Sequence, residues 1–346
     1  MKPYSPPFDI TNCMLNKISS ISEKLGRINV TGNLETRPHL RRNNRIQSIH
    51  SSLKIEANSL SLGQVRDVLN GRLVLGEQRE IQEVKNAFEA YEKLSSVNPY
   101  CLEDLKKMHG IMTKYLLDDA GSFRQGEEGV FNGEECIFMA PPVRLVPQLM
   151  EELFEWMERS RGEVHPLVLS AVFHYEFVFI HPFSDGNGRM ARLWHLWFLV
   201  QKGYQSALFV PFSSRIQRTK KAYYAAFTQV EENRKYSGII DVTPFVKYFA
   251  DCVYAEIGEG YTANGTFGEY ERALREGKIT EKETQLWKFV ISHYGTDEFS
   301  TKQLEKDFGN AAYATIRAFV LKFEDMGLLI SKKYGARVKY AVAKTI

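Results

Sequence analysis

The chain has 346 residues, 44% hydrophobic and 25% charged, enough to bury sizeable cores in two or three domains; this composition excludes disorder, collagen and a small disulfide scaffold. Forty-five Lys and Arg against 42 Asp and Glu leave a net charge of +3, which excludes recognition of nucleic acid or membrane by net charge alone. Cys13, Cys101, Cys136 and Cys252 are widely spaced, with neither a Cys-x-x-Cys pair nor zinc spacing, so reduced thiols are expected. The proline-containing N-terminus lacks a signal-length apolar run, and the apolar stretch 167–180 carries His174 and Glu176 and is too short to span a bilayer. A cytoplasmic protein with no membrane partner is expected.

Helical spacing of apolar residues appears at 45–53, 63–69 and 80–94, the last through Ile81, Val84, Ala87, Phe88 and Tyr91. Residues 102–117 repeat it through Leu105, Met108, Ile111 and Met112. Between 123 and 141 the pattern changes to two short strands, 129–131 and 134–139, around Asn132-Gly133, a pair suited to the positive φ angles of a type I′ turn. Helix resumes at 146–157. Pro166 suits a first helical position, and 167–180 is apolar nearly all round, as a helix buried on every face must be. Helices are then expected at 190–200, 218–232 and 244–257. The glycine-rich segment 258–268 is the best linker candidate, and 269–278 is charged connection or helix. Three short helices (280–294, 301–308, 311–326) followed by strands 328–332 and 337–343 give the order of a winged helix-turn-helix.

The segment HPFSDGNGRMAR, residues 181–192, lies between the buried helix and a tryptophan-rich one. Gly186 and Gly188 let the backbone turn and approach a ligand closely, while the free N–H groups of the next helix's first turn face whatever sits there. Phosphate is the expected occupant. Arg189 and Arg192 are three apart and share a side of that turn, where cations are disfavoured unless an anion compensates them. Asp185 is a hard oxygen donor suited to Mg²⁺, and His181 is a group titrating near neutrality that can take a proton from a hydroxyl. His174 and His195 fall on buried helices and read as core residues. His39, Arg37, Arg41, Arg42 and Arg45 read as a solvated face with local carboxylate partners.

HPFSDGNGRMAR matches every defined position of the Fic motif, His-x-Phe-x-Asp/Glu-Gly-Asn-Gly-Arg-x-x-Arg, and the chain resembles the Fic family over about residues 35–260. The resemblance implies a mainly α fold, a helical core with a β-hairpin flap, and transfer of AMP from ATP to a Ser, Thr or Tyr hydroxyl of a target protein or of the enzyme itself. By the same resemblance His181 is the general base, Phe183 anchors the loop, and Asp185 holds Mg²⁺. Gly186, Asn187 and Gly188 form the anion hole, with Arg189 and Arg192 on the β- and γ-phosphates. A glycine at 188, where phosphate-transferring members carry a bulkier residue, favours AMP transfer.

The stretch Ser51 to Asn58 resembles the family's inhibitory pattern Ser/Thr-x-x-x-Glu-Gly/Asn, with Ser52 and Glu56 in place and Ala57 departing from Gly/Asn. Glu56 is thereby expected to pair with Arg192 and restrain the reaction; removal of AMP is a reverse activity seen in such relatives. Val130 and Phe131 of the flap are candidates to clamp the target side chain by strand addition, or to pack the hairpin. Tyr223 and Tyr224 fall where relatives line the adenine pocket, although such a pair also suits core packing.

Residues 280–346 hold eleven Lys and Arg against eight Asp and Glu, an excess of three positive charges. Tyr313, Thr315, Arg317 and Lys322 on the second helix-turn-helix helix, with Lys332, Lys333, Arg337 and Lys339 on the wing, suit DNA contact; Asp307, Glu324 and Asp325 favour protein docking. The expected organisation is a helical region with the inhibitory helix (1–100), a Fic core (101–260), a linker (261–278) and a winged helix-turn-helix (279–346). The function expected is an ATP- and Mg²⁺-dependent protein adenylyltransferase, compatible with homo-oligomers. The alternatives are a DNA-binding regulator that uses the core as a nucleotide sensor, and a transferase of another nucleotide.

Overall fold

The computed structural model describes residues 3–31, 38–132, 135–254, 266–294, 298–335 and 337–343, and the chain divides into two units, Met1–Ala255 and Glu256–Ile346. Two long helices open the first unit, α1 (Asn12–Thr31) and α2 (Pro38–Ile55). Next, α3 (Leu62–Leu69) starts at a capping box in which Ser61 and Gln64 exchange side-chain and backbone hydrogen bonds. Helices α4 (Gln78–Lys93) and α5 (Leu102–Met112) follow. α5 stops short of the expected residue 117 because the Thr113 hydroxyl turns back onto the His109 carbonyl at 2.8 Å and Tyr115 takes a φ of 63°.

The expected hairpin forms from β1 (Gly129–Asn132) and β2 (Glu135–Met139), antiparallel. Its register shifts between Val130 and Phe131, so Phe131 faces Cys136 and Asn132 faces Glu135. Asn132 belongs to β1, and residues 133 and 134, which include Gly133 of the expected turn, lie outside the described residues.

Helix α6 (Val146–Arg159) leads to α7 (Pro166–Ile180), which packs between α6 and α8 (Asn187–Gln201). Pro166 opens α7, and the His165 ring caps it by accepting from the Leu167 N–H at 3.2 Å. Its faces are buried almost throughout, as its all-round apolar sequence requires. In α8 the indole N–H groups of Trp194 and Trp197 donate to the carbonyls of Pro99 and Val97, which lets two large rings be buried without a lost hydrogen bond. The range 218–232 resolves into α9 (Phe212–Arg218) and α10 (Lys220–Ser237), and 244–257 into α11 (Thr243–Tyr248) running into a π-turn at Phe249–Val253.

His174 and His195 are core residues. His174 Nε2 lies 3.0 Å from the Tyr223 hydroxyl, and His195 Nε2 lies 2.9 Å from that of Tyr254. Burial pushes His195 down to about 4 and His174 well below its ordinary value. Glu176 on the same helix is wholly buried against the Tyr4 hydroxyl (2.6 Å) and is pushed up to about 7, chiefly by burial. Of the N-terminal basic residues, Arg42 donates to Asn70 and Arg45 pairs with Glu92; Arg37 and the side chains of His39 and Arg41 lie outside the described residues.

In the second unit α12 (Thr266–Arg275) places Tyr270 and Ala273 in that unit's core, so this part of the expected linker is core structure; residues 261–265 lie outside the described residues. Helices α13 (Glu281–His293) and α14 (Thr301–Phe308) each start at a capping box, Thr280 with Glu283 and Ser300 with Gln303. α15 (Tyr313–Asp325) buries Ile316, Phe319, Val320 and Phe323, and β3 (Leu329–Tyr334) pairs antiparallel with β4 (Arg337–Val342). Phe299 bridges to Tyr340, which ties the start of α14 to the hairpin.

Candidate active site

Residues 181–186 join the end of α7 to the start of α8. Pro182 cannot continue a helix, and His181 leaves α7 in the left-handed region at φ 50°. The His181 Nδ1 lies 3.3 Å from the Val178 carbonyl, an acceptor, so its proton belongs on Nδ1 and Nε2 keeps its lone pair. Burial lowers its pKa and keeps the ring neutral, ready to accept a proton.

The loop is braced from inside. Phe183 is fully buried and stacks on His109 at 3.6 Å and 4°. The Asn187 side chain donates to the Phe183 carbonyl at 2.7 Å and accepts from its N–H at 3.0 Å. That amide is therefore committed to the loop, and any anion hole here is made of backbone N–H groups. His109 accepts from the Gly121 N–H through Nδ1 (3.0 Å) and so donates through Nε2 to the Asp185 carbonyl (2.9 Å). Burial pushes His109 down to about 4.

Gly186 precedes α8 with φ 84°, and no side chain caps the helix. The N–H groups of the first turn therefore lack the usual local acceptor. Arg189 and Arg192 are both buried beside them. Arg189 Nη2 donates to Asp185 Oδ1 at 3.0 Å and Nη1 stands 3.5 Å from Glu83, yet Nε and Nη1 have no hydrogen-bond partner. Buried unpaired guanidinium protons at an uncapped helix start are what an anion would satisfy.

Asp185 was the expected Mg²⁺ ligand. Burial works to raise its pKa, but Arg189, the Gly186 N–H and Arg79 outweigh it and hold the carboxylate below its ordinary range. Two guanidinium groups thus stand where a divalent charge would be neutralised. Among the described residues no group of three or more His, Cys, Asp or Glu could hold a metal, so an ion here would take Asp185 with phosphate oxygens and water, a donor set that fits Mg²⁺.

Ser52 comes to this site on the last turn of α2, and Glu56 in the turn just past its end. Arg192 donates Nε to the Ser52 hydroxyl (2.9 Å), and Nη2 to the Ser52 carbonyl (3.1 Å) and to Glu56 Oε1 (2.7 Å). The helix closes in a Schellman turn, with the Asn58 N–H on the Leu53 carbonyl and the Ala57 N–H on that of Lys54. This turn needs a left-handed residue, and Ala57 supplies it at φ 68°, in the place where the family pattern has Gly or Asn. Lys220 Nζ donates to the Ile55 carbonyl at 2.9 Å and completes that helix end.

The two tyrosines separate. Both phenols feel Glu56 and Arg192, but Tyr224 is 48% exposed, whereas Tyr223 is 3% exposed and packed among Phe227, Phe245 and Tyr248. Neighbouring helical residues point about 100° apart, so Tyr223 turns inward while Tyr224 turns toward solvent. The side chains of Val130 and Phe131 lie outside the described residues.

Sequence reasoning missed Arg79, Glu83, His109 and Arg124. Arg124 is 2% exposed and donates to the carbonyls of His181 (2.7 Å), Gly126 (2.6 Å) and Pro141 (2.6 Å), tying the His181 backbone to both ends of the hairpin. Arg79 Nη2 donates to Asp185 Oδ2 at 3.0 Å. A cation in the first turn of a helix, against the dipole, was the one local hint of Arg79.

A helical core, a hairpin and an uncapped helix start flanked by a histidine, a carboxylate and two buried arginines define the class of helical fold to which this unit belongs. The Fic/DOC family profile matches residues 99–199. A Fic family protein from Desulfovibrio desulfuricans G20 is 32% identical, with a TM-score of 0.67 and 98% of each chain covered. Fic-1 from C. elegans shares the fold at 23% identity and a TM-score of 0.57, covering 77% of this chain and 74% of that one. The protein adenylyltransferase Fic of Aedes aegypti is 30% identical over 217 residues, 60% of this chain and 40% of the relative. The chain thus spans well under half the length of that curated relative. It belongs to the Fic/DOC family.

Proposed function

We propose that this protein is an ATP- and Mg²⁺-dependent protein adenylyltransferase restrained by Glu56. The observation that carries the reading is the uncapped start of α8, where buried Arg189 keeps unpaired protons and Arg192 is occupied by Glu56. The names of relatives such as the Aedes aegypti protein agree with it.

In this reading the triphosphate lies against the first turn of α8, its negative charge matched by backbone N–H groups, Arg189 and Arg192. His181 Nε2 takes the proton of a target hydroxyl as that oxygen attacks the α-phosphorus, and pyrophosphate leaves with charge that the arginines stabilise. Asp185 would hold Mg²⁺, which supplies charge neutralisation at the phosphates. The hairpin offers its strand edge to a target segment, held at a fixed place relative to His181 through Arg124. Glu56 occupies Arg192, so productive placement of the terminal phosphate requires this carboxylate to leave.

The test is mass spectrometry of purified wild-type, Glu56→Gly and Glu56→Gly/His181→Ala protein after incubation with Mg²⁺ and ATP, with and without lysate. An AMP-sized gain in Glu56→Gly that vanishes in the double variant is expected. ATP binding without any mass gain would turn the reading toward a sensor or another nucleotide.

Residues 279–346 we read as a winged helix that docks protein. Lys322 pairs with Glu283, and Lys332 and Lys339 face Glu298, so several of the cations expected to meet DNA already have carboxylate partners. The exposed side of α15 presents Tyr313, Ala314, Ala318 and Leu321 with Arg317.

A further inference from the structure

Asp185 divides its two oxygens between different elements. Oδ1 accepts from the Gly186 N–H and from Arg189, both of its own loop and helix. Oδ2 accepts from Arg79, which comes from α4, 106 residues away in sequence. Oδ1 is committed to the loop, so Oδ2 is the oxygen a metal ion would use, and Arg79 stands on it.

Arg79 has little to do for the fold. Its side chain is 58% exposed, and it sits in the first turn of α4, where the dipole disfavours a cation. Its neighbours are all members of one charged cluster. Its Nε is 3.9 Å from Glu83, and Glu83 reaches Arg189 and accepts from the Asn58 amide at 2.9 Å. Three arginines, Arg79, Arg189 and Arg192, meet three carboxylates, Asp185, Glu83 and Glu56, so the cluster is neutral before any ligand arrives.

We propose that Arg79 is a third phosphate-facing cation of this site, held on Asp185 until a divalent metal takes that carboxylate. The inference rests on the nucleotide reading above and deepens it. A metal ion on Oδ2 evicts the guanidinium by charge repulsion. The freed side chain remains beside the uncapped α8 start, and its planar fork suits the oxygens of a polyphosphate. Metal binding would then release a cation for the nucleotide, which makes the two binding events cooperative.

The test uses the full chain carrying Glu56→Gly, so that Arg192 is free, alone and with Arg79→Gln or Arg79→Lys. ATP and AMP binding are titrated calorimetrically over a range of free Mg²⁺. In Arg79→Gln the Mg²⁺ needed for half-maximal ATP binding should fall about fivefold, because a competitor is gone, while ATP affinity at saturating Mg²⁺ also falls about fivefold. AMP, lacking the outer phosphates, should bind unchanged, and Arg79→Lys should recover most of the ATP affinity. Identical titrations for Arg79→Gln and its parent overturn the proposal. So does weaker ATP binding with an unmoved Mg²⁺ requirement, the result of mere damage to α4. If the parent binds no ATP at any Mg²⁺, the nucleotide reading fails first and the inference falls with it.

Discussion

Glu56 and Gly188 are packed so closely that a methyl group on Gly188 would strike the Glu56 carboxylate before anything else. The obstacle is the far end of a flexible side chain, so the carboxylate is the part that yields. Gly188→Ala is therefore expected to push Glu56 off Arg192 and raise ATP affinity toward that of Glu56→Gly. Added to Glu56→Gly it should do nothing further, a non-additivity that a calorimetric double-mutant cycle measures. Simple additivity of the two changes would show that they act separately.

Arg124 serves three carbonyls from a buried position, so its loss leaves three acceptors without their donor. Arg124→Met should cost roughly 3 kcal/mol, read as a lower urea midpoint. Hydrogen exchange at β1 and β2 should accelerate more than at α7. Uniform acceleration across the first unit would contradict the assigned role.

Ala57 holds a left-handed φ that glycine adopts without penalty. Ala57→Gly should stabilise the first unit by about 1 kcal/mol and raise its Tm by a few degrees, and Ala57→Val should do the opposite. A glycine that lowers Tm would mean that the turn is not strained as described.

Acid should unfold the first unit more steeply than a single titration allows. His109 and His195, at about 4, and His174, held well below its ordinary value by burial, stay neutral in the fold, whereas in the unfolded chain they take up protons near 6.5. Their stabilisation is complete above that value and is lost as pH falls toward 4. Glu176, pushed up to about 7, works the other way between about 4.5 and 7, because there the fold keeps a proton that the unfolded chain has released. Burial lowers His165 and His181 in the same direction, so the histidines outnumber Glu176 and acidification below 6.5 leaves a net loss of stability. Urea midpoints at pH 7.5, 6.0 and 5.0 measure it, and a flat series would contradict the buried neutral state of these rings.

The division between what was legible in the sequence and what was not follows chain distance. His181 to Arg192 form one contiguous run, and Ser52 with Glu56 one helical step, so spacing alone places each set on one face. Arg79, His109 and Arg124 reach the same loop from 57 to 106 residues away, and no local period announces such a meeting. Tyr223 and Tyr224 could not be separated without the rotation of α10 in its packing. The hairpin was readable from alternation, but the register shift between Val130 and Phe131 was not, because it depends on both strands at once.

Arg124 grips the hairpin and the histidine loop through main-chain carbonyls, at His181, Gly126 and Pro141. Such ties are blind to side-chain identity. The side chains of the strands between them can therefore be exchanged by grafting while the join to the histidine loop stays the same. The hairpin and the histidine loop are thus two parts held in register by one arginine.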